Sequence, residues 1–170
     1  ESVIIKFDED NIYTLDKGGP LIPIAAFNSF RTNLIEPYRF NKIKKSKRLS
    51  KDLEIATGLL RGFANGTLST SQVFDVDLMG SFMAIAASWG AEHPIRFRNM
   101  KFYYNPITGL IEPIGYDISL FYFKRRYFDI TANYDTIGSD IMESDPVIKS
   151  AYELTLKKLK QETENGITEG

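Results

Sequence analysis

An α+β fold, mostly helical with one β-hairpin that carries the chemistry, is what this 170-residue sequence predicts. Three observations predict it. Apolar residues recur at helical spacing in two stretches between residues 50 and 90. A third such stretch follows Asp145-Pro146. Between them, residues 97–117 alternate, turn and alternate again, as a hairpin does. No repeat, low-complexity segment or interior linker divides the chain. A single domain is expected, with a strand-rich part over residues 1–40 and a helical lobe over residues 50–165 that includes the hairpin.

Residues 2–7 read as a strand, and residues 11–15 as its partner across an Asp8-Glu9-Asp10 turn. Gly18-Gly19-Pro20 interrupts the pattern. Residues 21–27 and 34–40 read as extended, with Pro23 and Pro37 favouring edge positions. Residues 41–51 are basic, carrying Lys42, Lys44, Lys45, Lys47, Arg48 and Lys51. Aromatic residues interleave poorly there, so the run reads as a solvated linker rather than a grip on phosphate. Ser50 then offers an N-cap to a helix bearing Leu53, Ala56, Leu59, Leu60 and Phe63, which Gly66 can stop.

Ser69-Thr70-Ser71 opens a second helix, and Asp75 can cap it again after a short first turn. Phe74, Leu78, Phe82, Ile85 and Trp89 form one stripe on it, which Met79, Met83 and Ala86 widen. So apolar a helix is expected to be central and buried on most sides. Gly90 ends it and Pro94 blocks its return. In the hairpin, residues 105–109 make the turn. Phe121, Tyr122, Phe123, Tyr127 and Phe128 read as core or as an interdomain contact. Residues 129–144 read as a loop. Pro146 suits the first position of a last helix, expected to run to Glu162 with Val147, Ala151, Leu154, Leu156 and Leu159 on its apolar side. Residues 166–170 read as a frayed tail.

Bulk properties exclude several classes. A formal net charge of −1 exerts no global pull on nucleic acid or anionic membrane. No apolar run approaches the roughly 20 residues of a membrane span. The absence of cysteine removes disulfides, thiolate metal sites and thiol nucleophiles. The single histidine, His93, removes His-rich metal sites. The chain opens on Glu1 and shows no signal peptide, so it is expected to be part of a longer polypeptide.

The hairpin is the best candidate site. Asn99 stands before its first strand and Asp117 after its second. Pairing the strands brings an amide oxygen and a carboxylate together, two hard donors of the kind a magnesium–nucleotide complex takes from protein. Other acidic pairs, Asp75/Asp77 and Asp8/Asp10, read as helix caps and turn residues.

A family resemblance enters here. Leu59-Leu60-Arg61-Gly62-Phe63, Val73-Phe74-Asp75-Val76, His93, Asn99, Phe102-Tyr103-Tyr104-Asn105-Pro106, Thr108-Gly109 and Glu112-Pro113-Ile114-Gly115-Tyr116-Asp117 together resemble the CotH kinase-like family, spore-coat and envelope proteins with an atypical protein-kinase fold. The resemblance covers about a third of the chain and is most specific in the hairpin. It implies the C-terminal lobe of such a kinase, ATP- and magnesium-dependent phosphorylation of protein serine, and metal and nucleotide binding by Asn99 and Asp117. It also implies a protein substrate or an envelope or coat partner, with a location outside the cytoplasm or at the cell surface.

The sequence departs from the family pattern in two respects. The family places an aspartate shortly before the asparagine; residues 90–98 contain none, and Glu92 or His93 would have to accept the hydroxyl proton. Residues 1–40 hold only Lys6 and Lys17 as lysines, and Gly18-Gly19 lies in no phosphate-loop pattern. The nucleotide-covering lobe is thus expected elsewhere in the parent polypeptide, with a hinge near residues 35–38. On this reading the chain alone binds ATP weakly and transfers no phosphate. The competing expectation is a non-catalytic, kinase-derived module that binds envelope partners. In the kinase-like reading Lys124-Arg125-Arg126, just past Asp117, would meet an acidic substrate patch; the alternative is three exposed charges facing solvent.

Overall fold

A computed structural model describes residues 2–8, 30–91, 93–97, 99–117, 140–142 and 145–168. The fold is α+β. Four antiparallel strands, β1 (Ile4–Phe7), β2 (Ile35–Pro37), β3 (Lys101–Asn105) and β4 (Leu110–Ile114), lie in the order β2-β1-β3-β4. The register pairs Phe7 with Ile35, Ile5 with Phe102, and Lys101 with Ile114. Strand alternation sends Ile5, Phe7, Phe102, Tyr104 and Ile111 into the core. Pro37 sits on the edge strand, where its missing N–H costs no ladder bond. The second extended piece is shorter than the sequence predicts, because Phe40 already opens a helix. The strand expected over residues 11–15 and the extended piece at 21–27 lie outside the described residues, as do the aromatic run and Lys124-Arg125-Arg126.

The basic run is not a linker. It folds as α1 (Phe40–Ile43) and the first turns of α2 (Lys47–Ala64). Its two apolar residues, Ile43 and Leu49, are buried and dock it, while the cations stay in water. The cap of α2 is accordingly Ser46, whose Oγ accepts from the Leu49 N–H, and not Ser50. Further along α2, Ala56, Leu60 and Phe63 are buried as their spacing predicts. Gly66 follows the helix at φ 73°, the left-handed position that glycine takes without a Cβ clash.

The expected recapping is present: α3 (Thr70–Val73) is one turn, and Asp75 then caps α4 (Val76–Ser88) by accepting from the Leu78 N–H at 3.0 Å. The expected burial of α4 is only partly found. Met79, Met83, Ala86 and Ala87 face the core, whereas Leu78 and Trp89 are about half exposed, 47% and 51%. Large apolar residues lie on several sides of this helix, so spacing alone does not choose the inner face. Small residues decide it. A Cβ on Gly80 would stand 2.7 Å from Ala151 Cβ and 2.8 Å from the Tyr152 backbone nitrogen, which lets α5 (Pro146–Thr168) lie directly on α4. Ser81 and Thr155 hydroxyls bond across the same seam at 3.1 Å.

The last helix begins at Pro146 as the sequence predicts, but it continues through residues 166–168, which were expected to fray. Its inner side is Ile148, Ala151 and Tyr152, while Val147 and Leu154 face outward. Asp145 fixes its start. One carboxylate oxygen accepts from the Val147 N–H at 3.0 Å, and the other from the backbone and hydroxyl of Ser71 on α3. The Ser71 hydroxyl, foremost among these donors, holds the Asp145 carboxyl below the usual carboxylate range.

Two outcomes follow. Alanine at Gly80 would gain about 1 kcal/mol of helix propensity, but overpacking against backbone costs about 1–3 kcal/mol. Gly80→Ala should therefore lower the urea midpoint. Asp145 has a depressed folded-state pKa, so its stabilisation is complete above the unfolded value, near 3.9, and is lost as pH falls through the lower folded value. Asp145→Asn should cost about 1–2 kcal/mol at pH 7. Its deficit against the parent should shrink when urea titrations are repeated below about pH 4.

Candidate functional site

The segment between α4 and β3 is fastened from below. Pro94, Ile95, Phe97 and Met100 are all buried, so the intervening polar residues have little freedom. Residues 93–95 form a 3-10 turn. The N–H groups of Asn99 and Met100 both bond the Arg96 carbonyl, at 2.9 and 3.0 Å. This tight turn delivers Asn99 immediately before β3.

Asp117 arrives from the other strand. The Lys101 ammonium lies over the ring of Tyr116, at the strand's exit. Asp117 then adopts φ 53°, a left-handed conformation that aspartate tolerates better than most residues. The turn of the chain brings its carboxylate back over the 93–99 segment.

His93 is where the two ends meet. Its Nδ1 lies 2.8 Å from Asp117 Oδ2 and 3.0 Å from Asn99 Nδ2. Only one of these is a hydrogen bond at a time. An ionised carboxylate can only accept, so Nδ1 must carry a proton and donate to Asp117. The Asn99 amide then donates instead to the His93 carbonyl, at 3.0 Å. This leaves His93 Nε2 as the lone-pair nitrogen of the neutral ring. It also leaves Asn99 Oδ1 and the second Asp117 oxygen without a bond among the described residues.

Sequence reading brings Asn99 and Asp117 to one place, and the structure puts both beside His93. Glu92, the other candidate base, lies outside the described residues. No group of three or more His, Asp or Glu side chains suited to a metal ion occurs among the described residues. The donor set still fits magnesium, which takes one or two protein oxygens and completes its octahedron with phosphate and water. A carboxylate oxygen and an amide oxygen are hard donors of that kind. The contact of Lys101 with Tyr116, the neighbour of Asp117, was not read from the sequence. Its cross-strand pairing with Ile114 places its ammonium near the exit of β4, a signal available once the register is known.

Comparison with family models, curated proteins and solved structures gives no match. No described helix is long and apolar enough to cross a membrane.

His93 and Asp117 are each 44% exposed, so the hydrogen bond between them is a surface contact worth under about 1 kcal/mol. The neutral ring should carry its proton on Nδ1. Nitrogen-15 shifts of the imidazole should show that tautomer in the parent and a larger Nε2-protonated fraction in Asp117→Ala.

Proposed function

We propose that this chain is a kinase-like domain of CotH type, in which Asn99 and Asp117 hold magnesium and the phosphates of ATP for transfer to a protein serine. The observation that carries the reading is the convergence of one amide and one carboxylate, from opposite ends of the hairpin, on His93 Nδ1. Magnesium would supply charge neutralisation at the phosphates. The chain's own residues supply orientation and proton transfer. Asp117 holds the His93 ring by Nδ1, so that Nε2 points its lone pair away from the carboxylate. His93 then serves as the base that the missing aspartate would otherwise provide. The serine oxygen bonds to the γ-phosphorus as its proton passes to Nε2. The bond from γ-phosphorus to the bridging oxygen breaks, and ADP leaves.

A second reading has its own support. Asp117 already spends one oxygen on His93, and residues 90–98 contain no aspartate. Both features suit a domain that has kept the kinase frame and binds partners of the envelope or coat without phosphoryl transfer.

Titration calorimetry of ATP with and without magnesium tests the first reading. Magnesium-dependent binding should be found and should be lost in Asp117→Ala. No binding by the parent would sink the nucleotide reading altogether. With labelled ATP and a serine-containing protein acceptor, the chain by itself should incorporate no phosphate, since its sequence holds no glycine-rich phosphate loop. Incorporation that is lost in His93→Ala would show the base at work and would remove the non-catalytic alternative.

A further inference from the structure

The chain holds one histidine, and its ring is fixed at one nitrogen and open at the other. Asp117 takes the Nδ1 proton at 2.8 Å, which leaves the lone pair on Nε2. Among the described residues, the side-chain polar contacts of His93 are with Asp117 and Asn99 alone, and both are at Nδ1. No described serine, threonine or tyrosine hydroxyl bonds the ring. The side chain is 44% exposed, within reach of a small reagent in solution.

These features suit a nucleophile as well as a base. In a Ser-His-Asp arrangement the ring relays the proton of a hydroxyl bonded to it. With no such hydroxyl among the described residues, the Nε2 lone pair is itself open to an electrophile. A bond formed at Nε2 makes the ring cationic, and the Asp117 carboxylate at Nδ1 offsets that charge. The backbone narrows the choice of electrophile. Acyl transfer needs donors for an oxyanion. The N–H groups of Arg96, Asn99 and Met100 in this turn are already bonded to the His93 and Arg96 carbonyls. Phosphoryl transfer passes through a loose transition state and asks chiefly for a well-placed nucleophile.

We propose that His93 is a phosphoryl-acceptor site, whose Nε2 takes the phosphoryl group of a small N-phosphoryl (phosphoramidate) donor to give a phosphohistidine. The Nε2 lone pair bonds to phosphorus as the donor's P–N bond breaks. Ammonia leaves with the three protons the donor's nitrogen already carries. Nδ1 keeps its proton, and the ring cation stays paired with Asp117. One P–N bond is exchanged for another, so the step is close to balanced. The proposal goes beyond serine transfer, in which the same lone pair takes only a proton. It does not rest on binding of ATP or magnesium.

The test incubates the full chain with potassium phosphoramidate in magnesium-free buffer without ATP, followed by intact mass and by phosphorus-31 and nitrogen-15 NMR. Because the chain has one histidine, the same chain unfolded in urea is the reference for an unassisted ring. The folded chain should gain one acid-labile phosphoryl group, on Nε2 alone. It should gain it about fivefold or more faster than the unfolded chain, in which both ring nitrogens are open. His93→Gln should gain none. Asp117→Ala should react more slowly at Nε2 and also form the Nδ1 product. Its thermal midpoint should stay near the parent's, because the lost bond is exposed, and this separates lost chemistry from lost folding. A folded rate no higher than the unfolded one would overturn the proposal. So would Nδ1 product in the folded parent, undiminished uptake by His93→Gln, or an Asp117→Ala variant that matches the parent in rate and product. Failure of ATP to bind the parent would sink the nucleotide reading and leave this outcome standing, so the two are separable.

Discussion

A closed circuit of phenylalanines is the constraint on which the remaining structure depends. Phe7 on β1 contacts Phe30, and Phe30 stacks on Phe63 of α2 at 5.8 Å. Phe63 meets Phe74, edge to face, at 5.1 Å, where α3 gives way to α4. Phe74 contacts Phe102 of β3 at 5.7 Å, and Phe102 returns edge-on to Phe7 at 6.2 Å. Each ring comes from a different segment, so the circuit joins the sheet to both long internal helices. Such pairs contribute about 0.5–1.5 kcal/mol each beyond the area they bury. The backbone reinforces it at one point, where the Asp75 N–H bonds the Ile111 carbonyl at 2.9 Å.

The candidate site is a dependent of that core. Phe97 packs edge-on against Phe7 at 6.4 Å, from within the tight segment that carries His93 and Asn99. The core thereby sets where the histidine and the amide stand relative to β3, and β3 sets where β4 delivers Asp117. The His93–Asp117 bond at the site does little of this. Two groups that are 44% exposed gain under about 1 kcal/mol from pairing, against several kilocalories for the aromatic circuit. The geometry is therefore held from beneath, and a ligand can exchange the His93–Asp117 bond for its own at small cost.

How much of this the sequence disclosed follows from the type of signal. The hairpin and its polar ends were legible because strand pairing is a two-residue repeat closed by a glycine-bearing turn, and Gly109 indeed takes φ 73°. The caps of α3 and α4 were legible for a similar local reason. The inner face of α4 was not, because large apolar residues fall on several sides of it and the choice rests on Gly80 meeting Ala151 some seventy residues away. The start of α2 was missed because two serines, Ser46 and Ser50, lie one turn apart. Burial of Ile43 and Leu49 on the far partner decides between them. The role of His93 needed the register too, since nothing near it in the chain announces Asp117 as its partner.

The two sides of the sheet divide the work. Its inner side holds Ile5, Phe7, Phe102, Tyr104 and Ile111 in the core. Its outer side keeps the charged and tyrosyl alternates, among them Lys101 and Tyr103. Lys101 ties the two hairpin strands in two ways: its backbone pairs with Ile114, and its ammonium lies over the Tyr116 ring beside Asp117. Cation–π contact at a partly exposed site is worth about 0.5–1 kcal/mol, so strand pairing holds the exit of β4 first and this contact adds to it.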